Sequence, residues 1–126
     1  MVVSQNRKRR IEWMGSSKRD LAAIAPEPKQ ILTYGIYLAE LGKRHPDAKP
    51  LNGIDAEEIV CDYHTDTYRA VYTLSLDDWV YVLHCFKKKS KRGRETPKPD
   101  INRITQRLKD ARILHKKEGR DKARTE

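Results

Sequence analysis

The sequence predicts an α+β sandwich, a four-stranded and mainly antiparallel sheet with a two-helix hairpin on one face and a C-terminal helix. Two observations carry that prediction. Between residues 58 and 87 lie three segments rich in Val, Ile, Tyr and Trp, with links short enough for hairpins. Segments of helical period flank them, one pair before and one longer run after. With 126 residues, the chain is expected to form one domain.

Arg10-Ile-Glu-Trp-Met14 alternates polar and apolar residues and reads as a short strand. Ser16-Ser17 with Asp20 reads as a helix start, and a helix from Lys18 to Ala25 would bury Leu21 and Ile24. Pro26 is expected to stop that helix and Pro28 to open the next. In the second helix Ile31, Tyr34 or Gly35, Leu38 and Leu41 recur every three or four residues, a stripe expected to face the core. Gly42 closes it, and residues 45–53 read as a loop rich in Pro, Asp and Lys.

The three strands are predicted at Glu58–Tyr63, Tyr68–Leu76 and Trp79–Lys87. The last is apolar on both faces, as a central strand would be. By plain alternation, His84, Phe86 and Lys88 share a face with Val80 and Val82. A helix from about Asp100 to Glu118 follows Pro97 and Pro99, with Ile101, Ile104, Leu108 and Ala111 on one side. Residues 1–9 are expected to be a flexible basic terminus, 10–115 the domain, and 116–126 a charged, frayed tail.

Composition narrows the function classes. No apolar run approaches the roughly 18 residues of a membrane span, and no apolar stretch follows the basic start as in a signal peptide. Cys61 and Cys85 lie in apolar runs without metal-ligand spacing, and read as reduced thiols in a cytoplasmic protein. The net charge is +9, yet residues 45–82 hold eight acids against two bases, so the remainder carries +15. Arg7–Arg10 and the run Lys87-Lys88-Lys89 with Lys91, Arg92 and Arg94 dominate that excess. Such density attracts phosphate polymers, and the second run directly continues an apolar strand.

No Gly-rich phosphate loop, nucleophile elbow or metal-binding motif is recognisable, and no cofactor is expected. What remains is the set of cations at the exit of the last strand, with Arg69 on its neighbour. Arg69 is the sole cation between Lys49 and Lys87, so it either pairs with a carboxylate or awaits an anionic ligand. His84 is either a hydrogen-bonded packing residue or a general acid or base. Tyr63, Tyr68, Tyr72 and Tyr81 suit base stacking, but also cross-strand packing. Trp13 and Trp79 read as core.

Several segments in order resemble a known family: Trp13-Met-Gly-Ser-Ser-Lys-Arg-Asp-Leu21, Lys49-Pro-Leu-Asn-Gly53, Tyr68-Arg69-Ala-Val-Tyr72, Tyr81-Val-Leu-His-Cys-Phe-Lys-Lys-Lys89 and Thr96-Pro-Lys-Pro-Asp-Ile101. They are similar to phage-related, HigB-like proteins of the RelE/ParE toxin superfamily, over about residues 10–112. The resemblance implies a RelE-like sandwich whose open sheet face grips RNA. It further implies the toxin of a type II toxin–antitoxin system, a metal-independent endoribonuclease cleaving messenger RNA, on the ribosome in many relatives. The ParE branch of the same superfamily instead implies a non-nuclease toxin that binds a DNA topoisomerase. Carried over residue by residue, Arg69 matches the strand arginine on the scissile phosphate, and Lys88 a basic residue just beyond the last strand. With His84 they form the expected catalytic set, while Lys87, Lys89, Lys91 and Arg92 are expected to contact RNA. Val60 and Asp62 stand where several relatives carry basic residues. The implied partner is a helix-turn-helix antitoxin encoded nearby, with an acidic segment expected on the most basic surface. On this expectation Arg69 is a ligand-binding group that can be truncated without loss of the fold.

Overall fold

The computed structural model describes residues 8–88 and 95–122. Its elements are β1 (Arg10–Trp13), α1 (Ser17–Ala22), α2 (Pro26–Glu40), β2 (Ala48–Pro50), β3 (Glu57–Tyr63), β4 (Asp66–Thr73), β5 (Trp79–Lys88) and α3 (Lys98–Lys117). The α+β class is as expected, but the sheet has five strands in the order β1-β5-β4-β3-β2. The added strand lies inside the segment read as a loop, where Ala48–Pro50 pairs with Ile59–Glu57. Pro50 is tolerated there because an edge strand leaves one side of its backbone unpaired. The sheet is mixed, since β1 runs parallel to β5 while every other pair is antiparallel. The middle strand is β4, and β5 lies between it and β1.

The helices do not share a face. Leu21 of α1 and Ile24 just beyond it, with Leu32, Ile36 and Ala39 of α2, pack on Ile59, Cys61, Tyr68, Ala70, Tyr72, Val80 and Val82. Ile104, Leu108 and Ala111 of α3 pack on Val71, Tyr81 and Leu83 from the other side. Both faces of the sheet are therefore covered there, which explains why Ala70–Tyr72 of β4 and Val80–Leu83 of β5 are apolar on both sides.

Pro26 begins α2 rather than ending α1, a position where its missing N–H costs nothing. The buried stripe of α2 is Pro28, Leu32, Gly35, Ile36 and Ala39. Ile31 and Tyr34, predicted to face the core, point outward. Gly35 decides the orientation, because a Cβ there would overlap Ile59 Cδ1 of β3.

Both ends of the domain are pinned at one edge. The Arg9 amide donates to the Glu40 carbonyl (2.7 Å) and its guanidinium to the Asp77 carbonyl (2.8 Å). At the other end, His115 is fully buried, with Nδ1 2.6 Å from the Tyr81 hydroxyl and Nε2 2.7 Å from Asp77 Oδ2. Arg120 donates to Glu12 Oε1 and the Tyr81 hydroxyl and lies 3.8 Å over the Trp79 ring. The chain thus stays attached to the sheet beyond Lys116, through residue 120 and, by the Lys122 amide to Asp77, to the end of the described segment.

Candidate functional site

Of the residues singled out by sequence, Arg69, His84 and Lys88 lie on the α3 side of the sheet, in rows set by strand register. Glu58 on β3, Val71 on β4 and His84 on β5 stand side by side. The next row is Val60, Arg69 and Phe86, and the third is Asp62, Thr67 and Lys88.

A β-bulge makes this arrangement possible. Tyr72 pairs with Val82 and Val71 with His84, so Leu83 is an extra residue in β5. Before the bulge Val80 and Val82 face α2, whereas Tyr81 and Leu83 face α3. Past it the phase flips, so Cys85 faces α2 while Phe86 faces α3 with His84, which stacks on it. His84, Phe86 and Lys88 do share a face, but Val80 and Val82 lie on the opposite one. The carbonyls of Val82 and Leu83, at the bulge, are both satisfied. Val82 accepts from the Met14 amide and the Ser17 hydroxyl, and Leu83 accepts from Arg107 Nη1 at 2.9 Å. Gly15, at φ +53°, leaves room for that guanidinium, since a Cβ would stand 2.6 Å from Arg107 Cζ.

Arg69 is 4% exposed and donates to Glu58 Oε1 at 3.0 Å, so its carboxylate pairing is realised within the fold. It also donates to the Thr96 hydroxyl at 3.4 Å, in the segment entering α3. Lys88 Nζ donates to the Glu95 carbonyl at 3.0 Å in the same segment. Lys87 points to the other face, half-exposed, 3.7 Å from Asp66. Lys89, Lys91 and Arg92 lie outside the described residues.

His84 is buried, stacked on Phe86 with ring centroids 4.6 Å apart. Its Nε2 is 2.7 Å from Asp100 Oδ1, and its Nδ1 faces Arg107 Nη1 at 3.5 Å. Because the guanidinium can only donate, Nδ1 accepts and the proton resides on Nε2, donated to Asp100. Burial lowers the imidazole pKa, and although the Asp100 hydrogen bond and charge oppose this, burial prevails with help from Arg107 and Arg103. His84, Phe86, Lys87, Asp100, Arg103, Tyr68 and the α1–α2 corner line an open cleft of about 570 Å³. It lies where β5 continues beyond its pairing with β1, which ends at Val82.

Three residues of the site, Glu58, Asp100 and Arg107, were not singled out from sequence. Glu58 is one of eight acids between residues 45 and 82, and Asp100 and Arg107 lie in a helix rich in charge. The signal for Glu58 is that it lies in strand phase with an isolated Arg on the next strand. Elsewhere, Asp77, His115 and Asp121 bring potential ligand atoms within 4.8 Å of one another, although the sequence showed no metal motif. Both nitrogens of His115 are already engaged there by Tyr81 and Asp77.

Cys61 and Cys85 are free thiols buried in the α2-side core. Burial pushes Cys85 up to about 12, so it is a packing group rather than a nucleophile. None of the described helices is long and apolar enough to cross a membrane.

A family model described as "Phage derived protein Gp49-like (DUF891)" matches residues 19–109, more than half of the chain. The match takes in β3, β4 and β5, the strands that build the rows around Arg69 and His84. No curated protein matches the sequence.

Proposed function

Since the chain belongs to the Gp49-like family of phage-derived proteins, we propose that it is the toxin of a type II toxin–antitoxin pair and cleaves messenger RNA on the ribosome. The observation that carries this reading is the placement of Glu58, Arg69, His84 and Lys88 on one sheet face, at the end where the basic run leaves β5. Cleavage by ribose 2′-hydroxyl attack requires stabilisation of charge on the phosphorane and two proton transfers. In this reading Arg69 and Lys88 exchange their hydrogen bonds to Thr96 and Glu95 for phosphate oxygens. The Arg69 guanidinium, oriented by Glu58, then binds the developing charge. His84, oriented by its Nε2–H hydrogen bond to Asp100, takes the 2′-hydroxyl proton at Nδ1 in place of its long contact with Arg107 and returns it to the leaving oxygen, and Phe86 offers a ring face beside it. Lys87, with Lys89, Lys91 and Arg92, follows the RNA backbone.

The burial of Arg69 and His84 against carboxylates favours one alternative, a toxin that shares the fold and acts by binding a DNA topoisomerase without cleaving RNA. Primer extension on cellular messages after induction, with and without ribosomes, separates the two. New message ends that depend on Arg69 support the nuclease. Toxicity with intact messages and altered plasmid supercoiling supports the alternative.

A further inference from the structure

We propose that the outward face of α2 is a docking surface for an acidic amphipathic helix of a separate polypeptide. Among the described residues four large apolar side chains are exposed, and three of them, Ile31, Tyr34 and Tyr37 at 38%, 54% and 44%, lie on this one face. Half-buried Leu38 and Leu41 extend the stripe. Positions 31, 34, 38 and 41 have the alternating three- and four-residue spacing of a helix seam. From Gln30 to Ala39 there is no charge, in a chain that is 36% charged. Since Pro28, Leu32, Gly35, Ile36 and Ala39 already cover the sheet, the helix is apolar on both sides, as expected of one packed between two partners.

Charge at the rim selects the occupant. Lys8 lies 5.2 Å over the Tyr37 ring and neutralises Glu40 at 3.4 Å, while Arg44 pairs with Glu57 at 3.3 Å. Both cations keep half their surface in water, and Lys43 beside them is exposed. In each pair the cation is the outer member, with the acid turned inward beneath it, which suits a helix with acidic flanks. A symmetric pair of copies with the two α2 helices parallel would set two such rims against each other. The aromatic anchors are also held in place, Tyr37 by Lys8 and Tyr34 edge-on to His45 at 5.9 Å.

This face is on the side of the sheet opposite Arg69, His84 and Lys88. A partner seated on α2 leaves that row uncovered. It silences a ribosome-dependent toxin by added bulk, not by plugging its site, a consequence that rests on the function proposed above, whereas the docking does not.

The test co-expresses the full chain with the product of the reading frame beside it and measures affinity for Tyr34→Ala/Tyr37→Ala and, separately, Ile31→Lys. All three positions are exposed, so unchanged melting temperatures are expected. Affinity should fall at least tenfold, amides in 26–40 should exchange more slowly in the wild-type complex, and that complex should still bind a single-stranded RNA oligonucleotide. Full affinity in a folded variant, no binding by the wild type, or a homodimer that dissolves on substitution would each overturn the proposal. Loss of RNA binding in the complex would overturn its placement away from the site. If the unpartnered wild type is not toxic, the functional reading fails, and the affinity measurements still decide the docking.

Discussion

Arg69 shows how burial changes the meaning of a substitution. Sequence suggested a ligand-binding cation that could be truncated without loss of the fold, but its pairing with Glu58 is almost fully enclosed. Removing one member of such a pair strands the other and costs about 3–5 kcal/mol. Arg69→Ala should therefore lower the melting temperature as well as toxicity. Arg69→Gln with Glu58→Gln keeps polar partners without charge, and should recover most of the stability but not the toxicity. Full toxicity from that folded double variant at wild-type abundance would remove Arg69 from the mechanism. His84 links the site to pH. Its folded pKa is depressed chiefly by burial, so the unfolded chain binds the proton first as pH falls. The contribution is fully present above the unfolded value of about 6.5 and is lost as pH falls from there through the folded value, by at most roughly 1.4 kcal/mol per pH unit. Thermal melts between pH 7.5 and 5 should show a steeper decline for the wild type than for His84→Gln. Parallel curves would mean that His84 does not titrate on unfolding.

Within the elements, one extra residue in β5 and one missing side chain in α2 have effects out of proportion to their size. The Leu83 bulge turns His84 from the α2 side to the α3 side, and the Arg107 side chain holds the Leu83 carbonyl. Gly35 lets α2 approach β3 closely enough to bury Leu32, Ile36 and Ala39. Gly35→Ala gains helix propensity yet forces Cβ into Ile59 Cδ1, and overpacking of this kind costs typically about 1–3 kcal/mol. Ile59→Val removes that methyl group, so the double variant should be more stable than Gly35→Ala alone. A denaturant titration of the four proteins measures this coupling. Simple additivity would show that α2 shifts outward to accommodate the methyl group.

Across the whole molecule, charge is divided by strand order. The segment carrying −6 contains β2, β3 and β4, while β5 leads into the basic run. Phosphate polymers should therefore approach from the β5 end, with the acidic edge turned away. Replacing Lys87, Lys88 and Lys89 together by Ala should weaken RNA or ribosome association and flatten its salt dependence. Each phosphate left without its cation should reduce the log–log slope by roughly 0.7 to 0.9. An unchanged slope would reduce the run to a solvated surface. Lys87 reaches Asp66 and Lys88 the Glu95 carbonyl, both at the periphery of the fold, so the triple variant should remain folded.

Element types were legible in the sequence because they follow from local pattern. Strand segments, hairpin links and the Ile104–Leu108–Ala111 stripe of α3 depend on period and turn chemistry within a few residues of one another. Arg69, His84 and Lys88 were legible as candidates because charge within an apolar strand is conspicuous at any distance. Facing was not legible. Helix α2 carries two apolar stripes, and only the close approach at Gly35 decides that Leu32, rather than Ile31, turns inward. Strand phase was lost at Leu83 because a bulge is stabilised by Arg107 from a helix more than twenty residues away. The parallel β1, the short β2 at the far edge and the Glu58 partner of Arg69 likewise exist only through pairing across the sheet. Local pattern determines which elements form, whereas contacts between distant segments determine which side of each element meets the core, a counter-charge or solvent.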